Sequence, residues 1–242
     1  MKLLILLGAC LFFRGGAAEA SAFHYQWKVD DSGYDFNLEM DFAKGVSLAE
    51  VIYNLNDVEL PKRLNSTMNA AIKIPELGSD YDWITRFKVI GIPFAMKARC
   101  HQEEKKAGLE LSEWTRKCVL DPEALDSKRF LTRKTDEVKC TNQDHQVHCD
   151  LHVTGQIKAM PLMSATTLTL KAKTQGLINW AKFWYFTDQG SISAKEASFM
   201  FDRSPLALDI EAGEQEGLKR AKTETPFHFE RAGGFTVPEA KE

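Results

Sequence analysis

The sequence predicts an α+β fold: a curved antiparallel β-sheet of about 7–9 strands with a short helix pair inserted near its start. Three observations carry this. Apolar and polar residues alternate with period two through the middle of the chain. Turn signals at Gly78-Ser79-Asp80, Gly91-Ile92-Pro93 and Ala107-Gly108 separate those runs, so neighbouring strands pair antiparallel. Between Ser47 and Leu55 the period switches to that of a helix. A secreted antiparallel β-barrel is the alternative architecture.

The elements follow in order. Lys2, the apolar run Leu3–Phe13 and the ending Ala18-Glu19-Ala20 read as a secretory signal peptide over residues 1–20. The run is too short to span a bilayer, which takes about 20 apolar residues. The chain is therefore expected to be secreted or periplasmic. Leu7-Gly8-Ala9-Cys10 also fits a lipobox, so a lipid anchor through Cys10 is the alternative. Residues 21–211 are expected to form a single α+β domain. From Ala212 onward charges, Gly and Pro dilute the apolar residues, and 212–242 reads as a polar, mobile tail.

Residues 25–42 read as one strand through Tyr34, Phe36, Leu38 and Met40. Ser47 is a good N-cap, and Glu50 three residues later completes a capping box. Leu48, Val51, Ile52 and Leu55 then fall on one helical face, and a second short helix is expected over Asn56–Leu64. In the first strand that follows, Met68, Ala70, Ile72 and Ile74 oppose Asn69 and Lys73. In the next, Tyr81, Trp83, Thr85, Phe87 and Val89 oppose Asp82, Arg86 and Lys88. Phe94, Met96, Ala98 and Cys100 oppose Lys97, Arg99 and His101. Val147, Cys149, Leu151 and Val153 oppose His148, Asp150, His152 and Thr154. Residues 161–186 fit a helix or a Thr-rich strand, and Ser191–Phe201 reads as one more strand.

Cys100, Cys118, Cys140 and Cys149 remain after the signal, an even number in an oxidising compartment. Cys140 and Cys149 flank a polar turn between two strand-like runs, so a bond across that hairpin is geometrically easy. Cys100 and Cys118 flank Lys105-Lys106-Ala107-Gly108 with the turn off-centre, so their pairing needs a bulge or slip. Nearest-neighbour pairing is expected. The spacing lacks C-x-x-C and speaks against zinc.

Composition narrows the function classes. The net charge is −3, and removal of Lys2, Arg14 and Glu19 takes it to −4. No basic stripe is present, which speaks against nucleic acid. His148, Asp150 and His152 share a strand face, but an extended backbone sets the outer two roughly 13 Å apart, too far for one metal. Neither a metal nor a cofactor is called for. No G-x-S-x-G, phosphate loop or H-E-x-x-H appears, and no catalytic residue is assigned. Asn65-Ser66-Thr67 matches the N-glycosylation sequon.

The stretch from Tyr34 to Glu104 resembles the START-like helix-grip superfamily, SRPBCC. The carrying residues are the strand Tyr34–Asp41, the helix opening Val46-Ser47-Leu48-Ala49-Glu50-Val51, Leu55, and Pro61-Lys62-Arg63-Leu64 leading into the strand from Thr67. Val89-Ile90-Gly91-Ile92-Pro93-Phe94 followed by Arg99 also looks like the proline-bearing strand of cyclase-like members. The family ends in a long helix gripped by the sheet. Residues 161–186 stand in that place, although their threonines disfavour a helix.

The resemblance implies binding of an apolar or lipid-like ligand between sheet and helix. Only some members are enzymes and no catalytic role carries over to any residue here, so a non-catalytic protein is expected. Tyr81, Trp83, Phe87, Phe94 and Met96 are the expected walls. Trp180, Phe183, Trp184, Tyr185 and Phe186 form the densest aromatic cluster. Peripheral membrane contact through Trp180, Trp184 and Tyr185 is one reading of it. Two other functions compete: an envelope or extracellular interaction protein with a solid core, and a cyclase- or hydrolase-like enzyme. Oligomeric state is not legible.

Overall fold

Nine strands and five helices make up the described residues of the computed structural model, which are 21–64, 68–75, 79–89, 92–124, 131–159, 164–190 and 192–237. Over 68–71, 87–89 and 92–94 only the backbone is described. The expected signal peptide and the sequon lie outside the described residues.

Where one strand was expected over 25–42, the chain makes a hairpin of β1 (Ala22–Asp30) and β2 (Gly33–Asp41). The cause is local. The Asp30 carboxylate accepts the backbone N–H of Ser32 at 2.7 Å and of Gly33 at 3.1 Å, turning the chain back on itself. Helix α1 (Leu48–Asn56) begins as expected, with the Ser47 hydroxyl accepting from Glu50 N at 3.1 Å. It buries Leu48, Val51 and Leu55. Helix α2 (Leu60–Leu64) follows.

Six strands come next: β3 (Met68–Pro75), β4 (Asp80–Val89), β5 (Ile92–Ala107), β6 (Glu110–Leu120), β7 (Leu131–Gln143) and β8 (Gln146–Ile157). The sheet order is β3-β4-β5-β6-β7-β8-β2-β1-β9, every pairing antiparallel. The order ends at β3 and β9, so the sheet is open and curved, and the closed-barrel alternative is set aside. Both expected disulfides form between directly opposed residues, Cys100 with Cys118 and Cys140 with Cys149. The first hairpin carries the bulge its off-centre turn required, a register shift between Lys105 and Lys106.

Within the stretch expected to be helix or strand, the described residues are helical: α3 spans Ala165–Gln189, and 161–163 lie outside the described residues. Ser164 caps it, and the buried Thr169 hydroxyl is satisfied by donating to Ala165 O at 2.8 Å. Gly190, at φ 54°, ends it. The expected strand over Ser191–Phe201 is instead α4 (Ala194–Phe201), capped by Ser193, because Ala194, Ala197 and Phe201 bury one helical face. The expected mobile tail likewise takes on regular structure through residue 236. Helix α5 (Pro205–Arg220) starts from the Ser204 cap with Pro205 in its first turn, and β9 (His228–Thr236) pairs with β1.

The core lies on the concave face. Phe23, Tyr25, Trp27 and Val29 of β1 align with Met40, Leu38, Phe36 and Tyr34 of β2. Helix α3 lies across β1, β2 and β8, giving the helix-grip architecture that the resemblance implied. Trp184 anchors it: its ring lies 5.6 Å from that of Phe23, and its Nε1 donates to Asp41 O at 2.9 Å.

Candidate functional site on the concave face

One inward face of the sheet divides into two unlike halves. Over β1, β2 and β8 it is sealed beneath α3, with Phe23, Trp27, Leu38, Met40 and Leu151 all within 1% of full burial. Over β4 and β5 it is not sealed. Trp83, Met96 and Ala98 face the same way yet stay partly exposed. Helix α1 reaches β6 and β7, and α2 reaches β3, so this half is roofed at its rims.

The expected wall residues divide accordingly. Tyr81 is buried, in a small cluster with the Cys100–Cys118 disulfide against which Trp83 and Ala98 pack. The Tyr81 and Trp83 rings lie 6.4 Å apart. Met96 packs against the main core. Phe87 and Phe94 are paired in register across β4 and β5, and their side chains lie outside the described residues.

Strand β3 presents the reverse of its expected faces. Ile72 and Ile74 are exposed, whereas Lys73 is half-buried opposite Trp83. Its ammonium sits 4.1 Å from the centre of the Tyr81 ring and donates to Asn56 Oδ1 at 3.1 Å. Arg116, on β6, meets it there. The Arg116 guanidinium lies 5.8 Å from the Trp83 ring centre and 5.6 Å from that of Trp114, and donates to Leu55 O at 3.2 Å. Leu55 and Asn56 end α1, so both cations face the negative pole of that helix. Burial, then the charge of Arg116, lowers the Lys73 ammonium below the usual lysine range. Burial raises the Tyr81 hydroxyl, while Arg116 pulls it down. Among the described residues no carboxylate pairs with Lys73 or Arg116.

Polar groups around these cations lack partners. Trp114 Nε1, Arg116 Nε and Gln102 Oε1 are buried without a hydrogen bond, whereas the Tyr81 hydroxyl, also short of ideal hydrogen-bond geometry, lies within the reach of Arg116. A buried polar atom left unpaired costs about 1–3 kcal/mol, and these three stand on adjacent positions of β5 and β6, Gln102 directly opposite Arg116.

A third cation, Lys173, projects from α3 onto the sheet. The Lys173 ammonium is 3.4 Å from the centre of the Tyr34 ring. Burial holds its amine well below the ordinary value, and Lys134 adds to this while Asp136 opposes it. Lys134 and Asp136 pair with each other. Among the described residues no group of metal-ligating side chains converges. His148 pairs with Asp41 and Asp150, and His152 with Asp35, on the outer face. Grooves on that face, such as the one along Asp82, Lys97, Arg99, His101 and Lys117, are lined by charge.

The aromatic cluster of α3 serves the core. Trp184 is fully buried and Phe183 nearly so, and Trp180, Tyr185 and Phe186 pack against them. No helix among the described residues is long and apolar enough to cross a membrane.

Sequence reasoning found the aromatic walls and missed the cations. For Arg116 a signal existed: it stands in phase with Trp114 and Cys118, on the inward side of β6. Lys73 gave none, because its apolar neighbours Ile72 and Ile74 point away from the core.

No family model and no curated protein matches the chain. Solved structures do. A STAR-related lipid transfer protein fragment from Xanthomonas axonopodis is 16% identical with a TM-score of 0.40, covering 62% of this chain and 89% of its own. Human STARD10 is 11% identical with a TM-score of 0.48, covering 78% and 77%. A START superfamily protein from Mycobacterium smegmatis is 9% identical with a TM-score of 0.44, covering 65% and 99%.

Proposed function

We propose that this is an exported, non-catalytic protein that holds an apolar or lipid-like ligand against the concave face of β3–β6, with Tyr81, Trp83, Phe87, Phe94 and Met96 as its walls. The observation that carries the reading is the contrast within one face. Inward-facing apolar residues are sealed on β1, β2 and β8, whereas on β4 and β5 Trp83, Met96 and Ala98 retain exposed surface beside the buried Tyr81 and Cys100. Apolar surface that faces the helices yet stays solvated is what a ligand would remove from water, at about 25 cal/mol for each Å². Two disulfides suit an oxidising compartment, consistent with a cleaved leader over 1–20.

Native mass spectrometry of the protein collected from the extracytoplasmic fraction tests this. The expected spectrum shows a chain beginning at Ser21, two disulfides by mass, and a non-covalent adduct lost on organic extraction. Protein that carries no adduct, and whose tryptophan fluorescence is indifferent to added fatty acids, alcohols and sterols, would remove the ligand-binding reading.

A further inference from the structure

We propose that the ligand is an amphiphile with an oxyanionic head, a carboxylate or phosphate monoester on a hydrocarbon chain, and that the head seats between Lys73 and Arg116 at the C-terminal end of α1. The inference rests on the ligand-binding reading above and specifies its ligand class.

Charge is the first argument. Two half-buried cations meet on the inward face, and besides the aromatic rings beside them each has only a neutral hydrogen-bond acceptor, Asn56 Oδ1 or Leu55 O. Each neutral acceptor takes up one donor, leaving further N–H groups on both side chains. Two like charges near one another repel, and a shared anion turns that repulsion into attraction to both.

The second argument is the chemistry of the unpaired atoms. Trp114 Nε1 and Arg116 Nε can only donate, and the Tyr81 hydroxyl, with Arg116 on its acceptor side, has its O–H left to donate. Gln102 presents an amide that offers a donor when turned over. Tyr81 is 2% exposed and Trp114 fully buried. The missing partner is therefore rich in acceptors. A quaternary ammonium head would be repelled by both cations, and a hydroxyl head would leave them unneutralised. From this pole Trp83, Ala98 and Met96 offer the apolar surface along which a chain would lie.

The test titrates the oxidised mature protein, below micelle-forming concentrations, with dodecanoate, dodecyl phosphate, 1-dodecanol and inorganic phosphate, read by tryptophan fluorescence and calorimetry. Both anionic amphiphiles are expected to bind about tenfold or more tighter than dodecanol, the ratio that hydrogen bonds to a charged group supply. Arg116→Gln and Lys73→Gln should each erase that preference while leaving dodecanol within about twofold, and Arg116→Lys should restore part of it. Lys73 lies on an edge strand, so its variant keeps the test decisive if Arg116→Gln fails to fold. Dodecanol binding as tightly as dodecanoate overturns the anionic head and leaves the apolar-ligand reading standing. Inorganic phosphate binding as tightly as dodecyl phosphate overturns the amphiphile. Failure of every chain to bind overturns the ligand reading and this inference together.

Discussion

The Tyr25 hydroxyl donates to the Asp209 carboxylate at 2.5 Å, joining β1 to α5 across 184 residues of sequence. Arg231 of β9 donates to the other oxygen of that carboxylate, also at 2.5 Å. Burial, then the hydrogen bond to Asp209, pushes the Tyr25 hydroxyl up to about 12, with Arg231 opposing, so it stays protonated and donates throughout the neutral range. One carboxylate thus fastens the C-terminal segment to the first strand. Asp209→Ala is expected to lower stability by about 2 kcal/mol and to speed amide exchange in β9 more than in β7. Asp209→Asn, which still accepts from Tyr25, should cost less. Unchanged β9 exchange in the alanine variant would contradict this role.

That fastening explains why the C-terminal segment was illegible. Helix α5 buries Leu206, Ala207, Ile210, Gly213 and Gly217, and two of those five are glycines that hydropathy does not register as contact residues. Gly213 is there because Arg231 crosses it: a Cβ would meet Arg231 Cδ at 2.5 Å. Strand β9 has two glycines and an edge position, so neither propensity nor alternation marks it. Strand β8 was legible because its alternate residues are buried along its whole length. The Thr-rich α3 was ambiguous because its helical character depends on packing over β1, β2 and β8, which propensity does not contain.

His148 gives a pH signature. Its Nδ1 lies 2.6 Å from Asp41 Oδ1, and this hydrogen bond chiefly, with the nearby charge of Asp150, raises its pKa to about 9 against the cost of burial. A raised histidine stabilises the fold fully below its unfolded value of about 6.5, and that contribution fades as pH climbs through the folded value. With a third of the side chain exposed, solvent screening reduces the effect to about 1 kcal/mol. Unfolding free energies from denaturant titrations should fall between pH 6 and pH 10 by that much more in the wild type than in His148→Gln. Equal pH slopes in the two proteins would refute the pairing.

The disulfides are expected to separate stability from binding. Replacing both Cys140 and Cys149 by Ala should cost about 2–4 kcal/mol, because the pair closes a hairpin within the sealed core. It should leave ligand affinity near the wild-type value. Replacing both Cys100 and Cys118 should reduce stability and also weaken ligand binding, since that bond supports Tyr81 and Trp83. Melting curves and ligand titrations of the two double variants distinguish these outcomes, and equal effects on binding would argue against the site.

Half of the candidate site was legible and half was not, for a physical reason. Trp83 and Met96 follow the alternation that marks an inward face, so they could be read directly. Lys73 and Arg116 break the rule that inward means apolar, and a recess built to hold a polar group is where such a break is expected. Their partners at the end of α1, Leu55 O and Asn56 Oδ1, meet them only because α1 is laid against β6, a tertiary fact that no local window contains.

Tyr34 and Gly155 face each other across β2 and β8, and the ring lies so close that a Cβ on Gly155 would come within 2.2 Å of the hydroxyl oxygen and 2.7 Å of Arg133 O. The backbone oxygen cannot swing aside as a flexible side chain can, so Gly155→Ala should destabilise by about 2 kcal/mol or more. The hydroxyl itself is a different matter. It is buried without a hydrogen bond, so the folded protein bears its desolvation uncompensated. Tyr34→Phe removes that atom, keeps the ring under the Lys173 ammonium, and should leave stability unchanged or raise it by up to about 1 kcal/mol. Tyr34→Ala removes the ring and should cost about 3–5 kcal/mol. Chemical denaturation of the three variants checks the ordering, and a Phe variant as unstable as the Ala variant would show that the hydroxyl, not the ring, holds this part of the core.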